Sequence, residues 1–129
     1  MEISYIDQIS QIESKQLEGF FVGWKAPLSP DRHYDLLRGS TFFIVALDGS
    51  KAVGYITALS DGVISSFIPQ LEVLPEYQRR GIGSELVRRM LVKLESITNV
   101  DLTCDPETQP FYERFNMLRS SGMVLRKYW

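Results

Sequence analysis

Sulfur and imidazole are scarce in this chain, which has one cysteine, Cys104, and one histidine, His33. A single cysteine excludes an internal disulfide and a cysteine-rich metal centre. A single histidine excludes a multi-histidine metal site, and no Cys–His pair lies close in sequence. Long apolar runs are missing too; none approaches the roughly 20 residues of a membrane-spanning helix. Met1-Glu2-Ile3-Ser4-Tyr5 lacks the positive start and apolar run of a secretory signal. The expectation is a cytoplasmic protein that uses neither a metal nor a membrane. An excess of one charge is also absent. Fourteen basic residues face sixteen acidic ones, for a net charge near −2. No global basic field is available to recruit nucleic acid. The basic residues cluster only locally, at Arg79-Arg80 and Arg88-Arg89. Clusters that small suit one anionic ligand better than a polyanion.

What is present is an ordinary globular composition, 44% hydrophobic and 23% charged over 129 residues. That length is the usual size of one domain, so residues 1–129 are expected to form a single unit. The most organised stretch is residues 71–84, LEVLPEYQRRGIGS. It reads as an apolar strand, a proline stop, a polar turn with two glycines, and a helix start. Beyond it Ile82, Leu86, Val87, Met90, Leu91 and Leu94 recur on one face of a 3.6-residue period, which predicts a helix to about Glu95. Gly81 and Gly83 stand where the helix begins. The first amides of a helix lack intrahelical partners, and the macrodipole adds positive character there. With Arg79 and Arg80 the stretch reads as a cradle for a phosphate.

Around it, residues 2–7 read as a first strand. Asp7 is placed to cap a helix over residues 8–17, with Ile9, Ile12, Leu17 and Phe20 on its apolar side. Residues 18–30 hold Gly19, Phe20, Phe21, Gly23, Trp24 and Pro27, the mark of a folded loop. Ser29 as N-cap and Pro30 at the first position start a helix to Arg38, ended by Gly39, with Tyr34, Leu36 and Leu37 inward. Residues 41–47 and 52–59 read as strands joined by the Asp48-Gly49 turn. After Ser60-Asp61-Gly62 comes a third strand, residues 63–74, in which Pro69 implies a bulge, an edge or a splay. Residues 100–104 follow the main helix as a strand parallel to the third one. Residues 107–115 form a short helix with Asn116 as its left-handed terminator. Residues 118–129 alternate through Met123, Leu125 and Tyr128 and suggest a last strand or hairpin. The fold expected is α/β (α+β): a mixed, mostly antiparallel sheet with one parallel β-α-β crossover and helices on both faces.

The dinucleotide pattern G-x-G-x-x-G fails, because Leu86 stands at the third glycine, and no P-loop run exists. Gln78-Arg79-Arg80-Gly81-Ile82-Gly83 instead matches the signature Q/R-x-x-G-x-G/A. Pro110-Phe111-Tyr112-Glu113-Arg114-Phe115-Asn116-Met117 looks like the segment F-Y-E-K-x-G-F. Two spaced motifs in these contexts resemble the GCN5-related N-acetyltransferases, the GNAT superfamily, over residues 41–117. The first 40 residues match only in the order of elements.

The resemblance implies acetyl-CoA as co-substrate. The backbone of Arg79, Arg80, Gly81, Ile82, Gly83 and Ser84, with Gln78, would cradle its pyrophosphate. The strand at Leu71 and Val73 would pair with the pantetheine arm, with the Val73 amide as oxyanion donor. Tyr112 matches the tyrosine that protonates the departing thiolate, and Glu72 is the candidate base, directly or through water. Asp105 stands where relatives carry an asparagine that binds the pantetheine or the acceptor. Asn116 and Met117 replace the final Gly-Phe. Phe20, Phe21 and Trp24 would wall an acceptor pocket or pack as a loop on the core. His33 reads as a surface or helix residue and Cys104 as a small buried one. The activity implied is direct acetyl transfer to a primary amine; the short chain and mild acidity point to a small cationic one, met by Glu72, Asp105 or Asp61. The resemblance also allows a homodimer. Three alternatives stay open: a non-catalytic acyl-CoA sensor, a protein or peptide amine acetyltransferase, and a binder of another nucleotide.

Overall fold

A computed structural model describes residues 2–127. Five strands form one sheet in the order β1-β2-β3-β4-β5: β1 Ile3–Ile6, β2 Phe42–Asp48, β3 Lys51–Ser60, β4 Ser65–Val73 and β5 Asn99–Asp101. The first three pairings are antiparallel and β4–β5 is parallel. The helices are α1 Pro30–Gly39, α2 Ile82–Lys93 and α3 Gln109–Glu113. This is the mixed, mostly antiparallel sheet with one crossover that the residue pattern predicts.

Alternation along the strands builds a core on each face. Phe43, Val45 and Leu47 join α1 and the loop before it, around Leu17, Phe20, Phe21, Leu37 and Tyr55. Ile44 and Ala46 meet α2 through Ile82, Leu86, Val87, Met90 and Leu94. Two bulges adjust this pattern. Opposite β2 the register jumps from Ala46↔Gly54 to Leu47↔Ala52, so Val53 is extra. Between β3 and β4 it jumps from Thr57↔Gln70 to Leu59↔Phe67, which places an extra residue at Ile68-Pro69. Pro69, which cannot donate to the ladder, sits in that irregularity. The slip sends Leu71 and Val73 to the α2 face and leaves Glu72 and Leu74 on the α1 face.

Local signals held where they were strong. The Ser29 hydroxyl accepts from Arg32 N at 3.2 Å, with Pro30 opening α1. Asn116 has φ 66°, as its place after α3 predicts. Residues 8–17 differ from the expected helix. They form two 3₁₀ turns, Ile9–Gln11 and Ser14–Gln16. The Gln11 and Gln16 side chains fold back on the amides of Gln8 and Glu13, and Ile12 between the turns is extended. Ile12 and Leu17 reach the core from that broken backbone. Asp7 caps nothing there; it binds Lys93 Nζ at 2.6 Å. Gly39 is the last residue of α1, and Ser40 caps it. His33 is fully buried rather than on the surface. Residues 118–127 form no strand, and Leu118, Met123 and Leu125 are almost fully exposed. Tyr128 lies outside the described residues.

Candidate active site

The N-terminus of α2 is entered through two left-handed residues, Arg79 at φ 64° and Gly81 at φ 82°. Gly81 is the N-cap, and its carbonyl accepts the first helical bond from Glu85 N at 3.0 Å. The amides of Ile82, Gly83 and Ser84 therefore have no intrahelical acceptor. A cleft of about 390 Å³ opens here, lined by Val73, Tyr77, Gln78, Arg79, Gly81, Ile82, Gly83, Ser84, Phe111 and Arg114. A Cβ at Gly83 would lie in ordinary van der Waals contact with Phe111 and Val73, each at 3.8 Å. Arg114 closes the far wall. Its guanidinium reaches the Ser84 hydroxyl at 3.3 Å and lies against Phe111 and Phe115. Tyr77 fixes the near wall: it donates to Asp48 at 2.6 Å, and Lys51 and Arg80 lie over its ring.

From this cleft β4 runs with an open edge. Leu74 N donates to Val53 O at 2.9 Å, so residues 70, 72 and 74 turn their main-chain polar groups toward β3. Leu71 and Val73 turn theirs the other way. On that side β5 accompanies β4 only from Ser65 to Phe67, and among the described residues no strand pairs with the rest of β4. The Val73 carbonyl accepts from Gln78 Nε2 at 2.9 Å.

A second cleft, about 340 Å³, lies beyond and is lined by Val22, Trp24, Gln70, Leu71, Glu72, Val73, Pro75 and Gln78. Val73 and Gln78 belong to both clefts. The Glu72 carboxylate accepts from Phe21 N at 2.9 and 3.0 Å and from Val22 N at 3.3 Å. Those bonds hold Phe21 at φ 64° and pin the aromatic loop to β4. Phe20 and Phe21 are core residues, whereas Trp24 and Val22 face the cleft. The carboxylate also helps to keep the Tyr55 phenol protonated, although burial is the larger cause. Tyr55 in turn donates to Gln70 at 3.2 Å.

Tyr112 lines neither cleft. It packs beside Phe111 with ring centroids 5.0 Å apart, half-buried on the α2 face. Burial, with the neighbouring Cys104 thiol adding to it, pushes its phenol up to about 12. It holds its proton at neutral pH. Cys104 is half-buried, and its thiol is pushed up by burial and by Asp105. Arg80 and Asp105 also stand outside both clefts. Asp61 is spent on its own turn, where it accepts from Val63, Ile64 and Ser65 N. Sequence reasoning missed Tyr77, Arg114, Val22 and Gln70. Only Arg114 carried a visible signal, as the basic residue beside Phe111-Tyr112.

The site is thus a glycine-entered helix beside a strand edge that opens away from its parallel neighbour. The acetyltransferase (GNAT) family model matches residues 7–117. The chain belongs to that family. An uncharacterized N-acetyltransferase of Pyropia yezoensis is 25% identical over 84% of this chain and 65% of its own length. The uncharacterized N-acetyltransferase YafP of Escherichia coli K12 is 38% identical over 66% of this chain and 53% of its own. The chain thus spans about half to two thirds of these two curated relatives. Among solved structures, a candidate acetyltransferase from Deinococcus radiodurans R1 superposes with a TM-score of 0.94 at 37% identity, covering 97% of this chain and 88% of that one. A GNAT-family acetyltransferase from Streptococcus pneumoniae TIGR4 gives 0.80 at 27% identity, covering 98% of both chains. No group of three or more histidine, cysteine, aspartate or glutamate residues is poised for a metal among the described residues. Nor is any helix among them long and apolar enough to cross a membrane.

Proposed function

We propose that the protein is an N-acetyltransferase that moves an acetyl group from acetyl-CoA directly to a primary amine of a small molecule. The observation that carries the reading is the open edge of β4 at Leu71 and Val73, leading from the α2 cradle to a second cleft that contains a carboxylate. Acetyl-CoA supplies an activated thioester. The cradle fits its pyrophosphate: the free amides of Ile82, Gly83 and Ser84 converge there, and Arg79 and Arg114 line it. The exposed main chain of Leu71 and Val73 fits an amide-bearing arm.

In the reaction an N–C bond forms and a C–S bond breaks. One proton leaves the amine and one reaches the sulfur. Val73 N–H faces the open edge and serves as the donor to a carbonyl oxygen. Glu72, the one ionisable residue lining the second cleft, takes the amine proton directly or through water. Its oxygens keep lone pairs after the amide bonds they accept. Tyr112 gives the proton to sulfur.

Calorimetry with CoA, ATP and NAD, followed by thiol release with amines, tests this. CoA should bind in preference, and Tyr112→Phe should lower kcat about 100-fold with unchanged CoA affinity. Preference for ATP would end the acetyltransferase reading. Full activity in the variant would end the assignment of Tyr112. CoA binding without turnover on any amine would mark a sensor instead.

A further inference from the structure

The two clefts sort charge. Arg79 and Arg114 line the first and no carboxylate does; Glu72 lines the second and no cation does. The first suits an anion and the second a cation. The second cleft has a further property. Apart from Glu72 and two glutamines, its walls are Val22, Trp24, Leu71, Val73 and Pro75. Trp24 and Val22 are 49% and 58% exposed, large apolar groups offered to whatever enters. They are held in place, because Phe21 N and Val22 N are tied to Glu72 and the Phe21 ring meets Trp24 with centroids 4.9 Å apart.

We propose that the acceptor is a monoamine: one ammonium on a compact aromatic or aliphatic body, selected by Trp24 and Val22. This rests on the transferase reading above. The count of charges decides it. One carboxylate balances one ammonium, and that carboxylate already accepts from two amides. A second ammonium would find no counter-charge among the lining residues, and covering it with the apolar walls would be costly. An anionic body would meet Glu72. A volume of about 340 Å³ lies in the range of small-molecule clefts. An apolar body gains by covering Trp24, and a cationic head gains at its rim.

The test is calorimetric titration of the CoA-saturated protein with n-hexylamine, 2-phenylethylamine, 1,6-diaminohexane and a lysine-containing peptide, with the kinetics of thiol release alongside. Hexylamine and 1,6-diaminohexane differ by one ammonium on the same chain. The monoamines should bind at least about tenfold tighter than the diamine or the peptide. Trp24→Ala should weaken phenylethylamine about tenfold, through KM rather than kcat, and leave CoA affinity unchanged. Trp24→Phe should restore most of that loss, and kcat and the melting temperature of Trp24→Ala should stay native, which a general disturbance of the loop tied to Glu72 would not allow. Equal or tighter binding of the diamine or the peptide, or an unchanged KM in Trp24→Ala, overturns the proposal while leaving acetyl transfer intact. Failure of the native protein to bind CoA overturns the transferase reading itself, and this inference with it.

Discussion

Replacing His33 with leucine should abolish a loss of stability on mild acidification. The imidazole is 1% exposed and boxed by Phe20, Phe21 and Tyr55, with ring centroids 5.2, 4.9 and 4.3 Å away. Neither of its nitrogens has a hydrogen-bond partner. Burial pulls it down from the ordinary 6.5 to about 4. The folded form therefore resists protonation while the unfolded chain accepts it. Stability from this group is complete above pH 6.5 and drains away as pH falls toward 4; below that both states carry the proton and nothing more is lost. At about 1.4 kcal/mol per pH unit the whole interval amounts to about 3 kcal/mol, and the fall from pH 7 to 5 to about 2 kcal/mol. The carboxyl groups held below their ordinary values, Asp7, Asp61, Glu85 and Glu113, also lose stability as pH falls, but in a lower window. Their ordinary values are 3.8 and 4.5, so their losses begin below about pH 5. Urea unfolding at pH 7, 6 and 5 isolates the histidine. The native protein should lose about 2 kcal/mol over that range and His33→Leu almost none. The comparison is of slopes, so any packing cost of leucine at pH 7 cancels. An equal acid loss in the variant would show that the imidazole is not the sensitive group.

Three further substitutions probe the site and the packing beneath it. Glu72→Gln keeps one oxygen for the loop amides but loses the proposed base and the charge, so kcat should fall about 100-fold and stability should fall by less than in Glu72→Ala. Glu72→Ala should also lose about 2 kcal/mol of stability, because a charge-assisted bond to the loop disappears; equal melting of the two variants would refute the clamp. Gly54→Ala would place a methyl 3.2 Å from Leu86 and 3.3 Å from Ile82 and the Glu72 carbonyl. Thermal unfolding should register a loss of about 1–3 kcal/mol, and an unchanged melting temperature would mean that α2 can retreat from the sheet at no cost.

The parts of this fold legible in the sequence are those governed by neighbours in the chain. The Asp48-Gly49 turn, the Ser29-Pro30 helix start and the glycine entry to α2 each depend on backbone freedom or capping within a few residues. Residues 8–17 were misread because a period of apolar residues is satisfied equally by two turns with an extended Ile12 between them. His33 shares the i, i+4 spacing of Leu37, which is a core signal, but its polarity hid it. The chemistry at Glu72 was half visible. Its type and position on a strand could be read, but its grip on Phe21 joins residues 51 apart, and no local rule contains that. The alternation of residues 118–127 is present without a strand to answer it; pattern alone does not supply a partner.

Val73 and Gln78 wall both clefts, joined by one hydrogen bond across the partition. Two ligands that press on one shared wall are coupled when either one moves it. If the first occupant shifts the Gln78 amide or the Val73 carbonyl, it alters the affinity of the second, and by reciprocity the second alters the first by the same factor. Occupants of the two clefts would then be coupled thermodynamically through this shared wall, and residue 78 is a place where that coupling can be tuned.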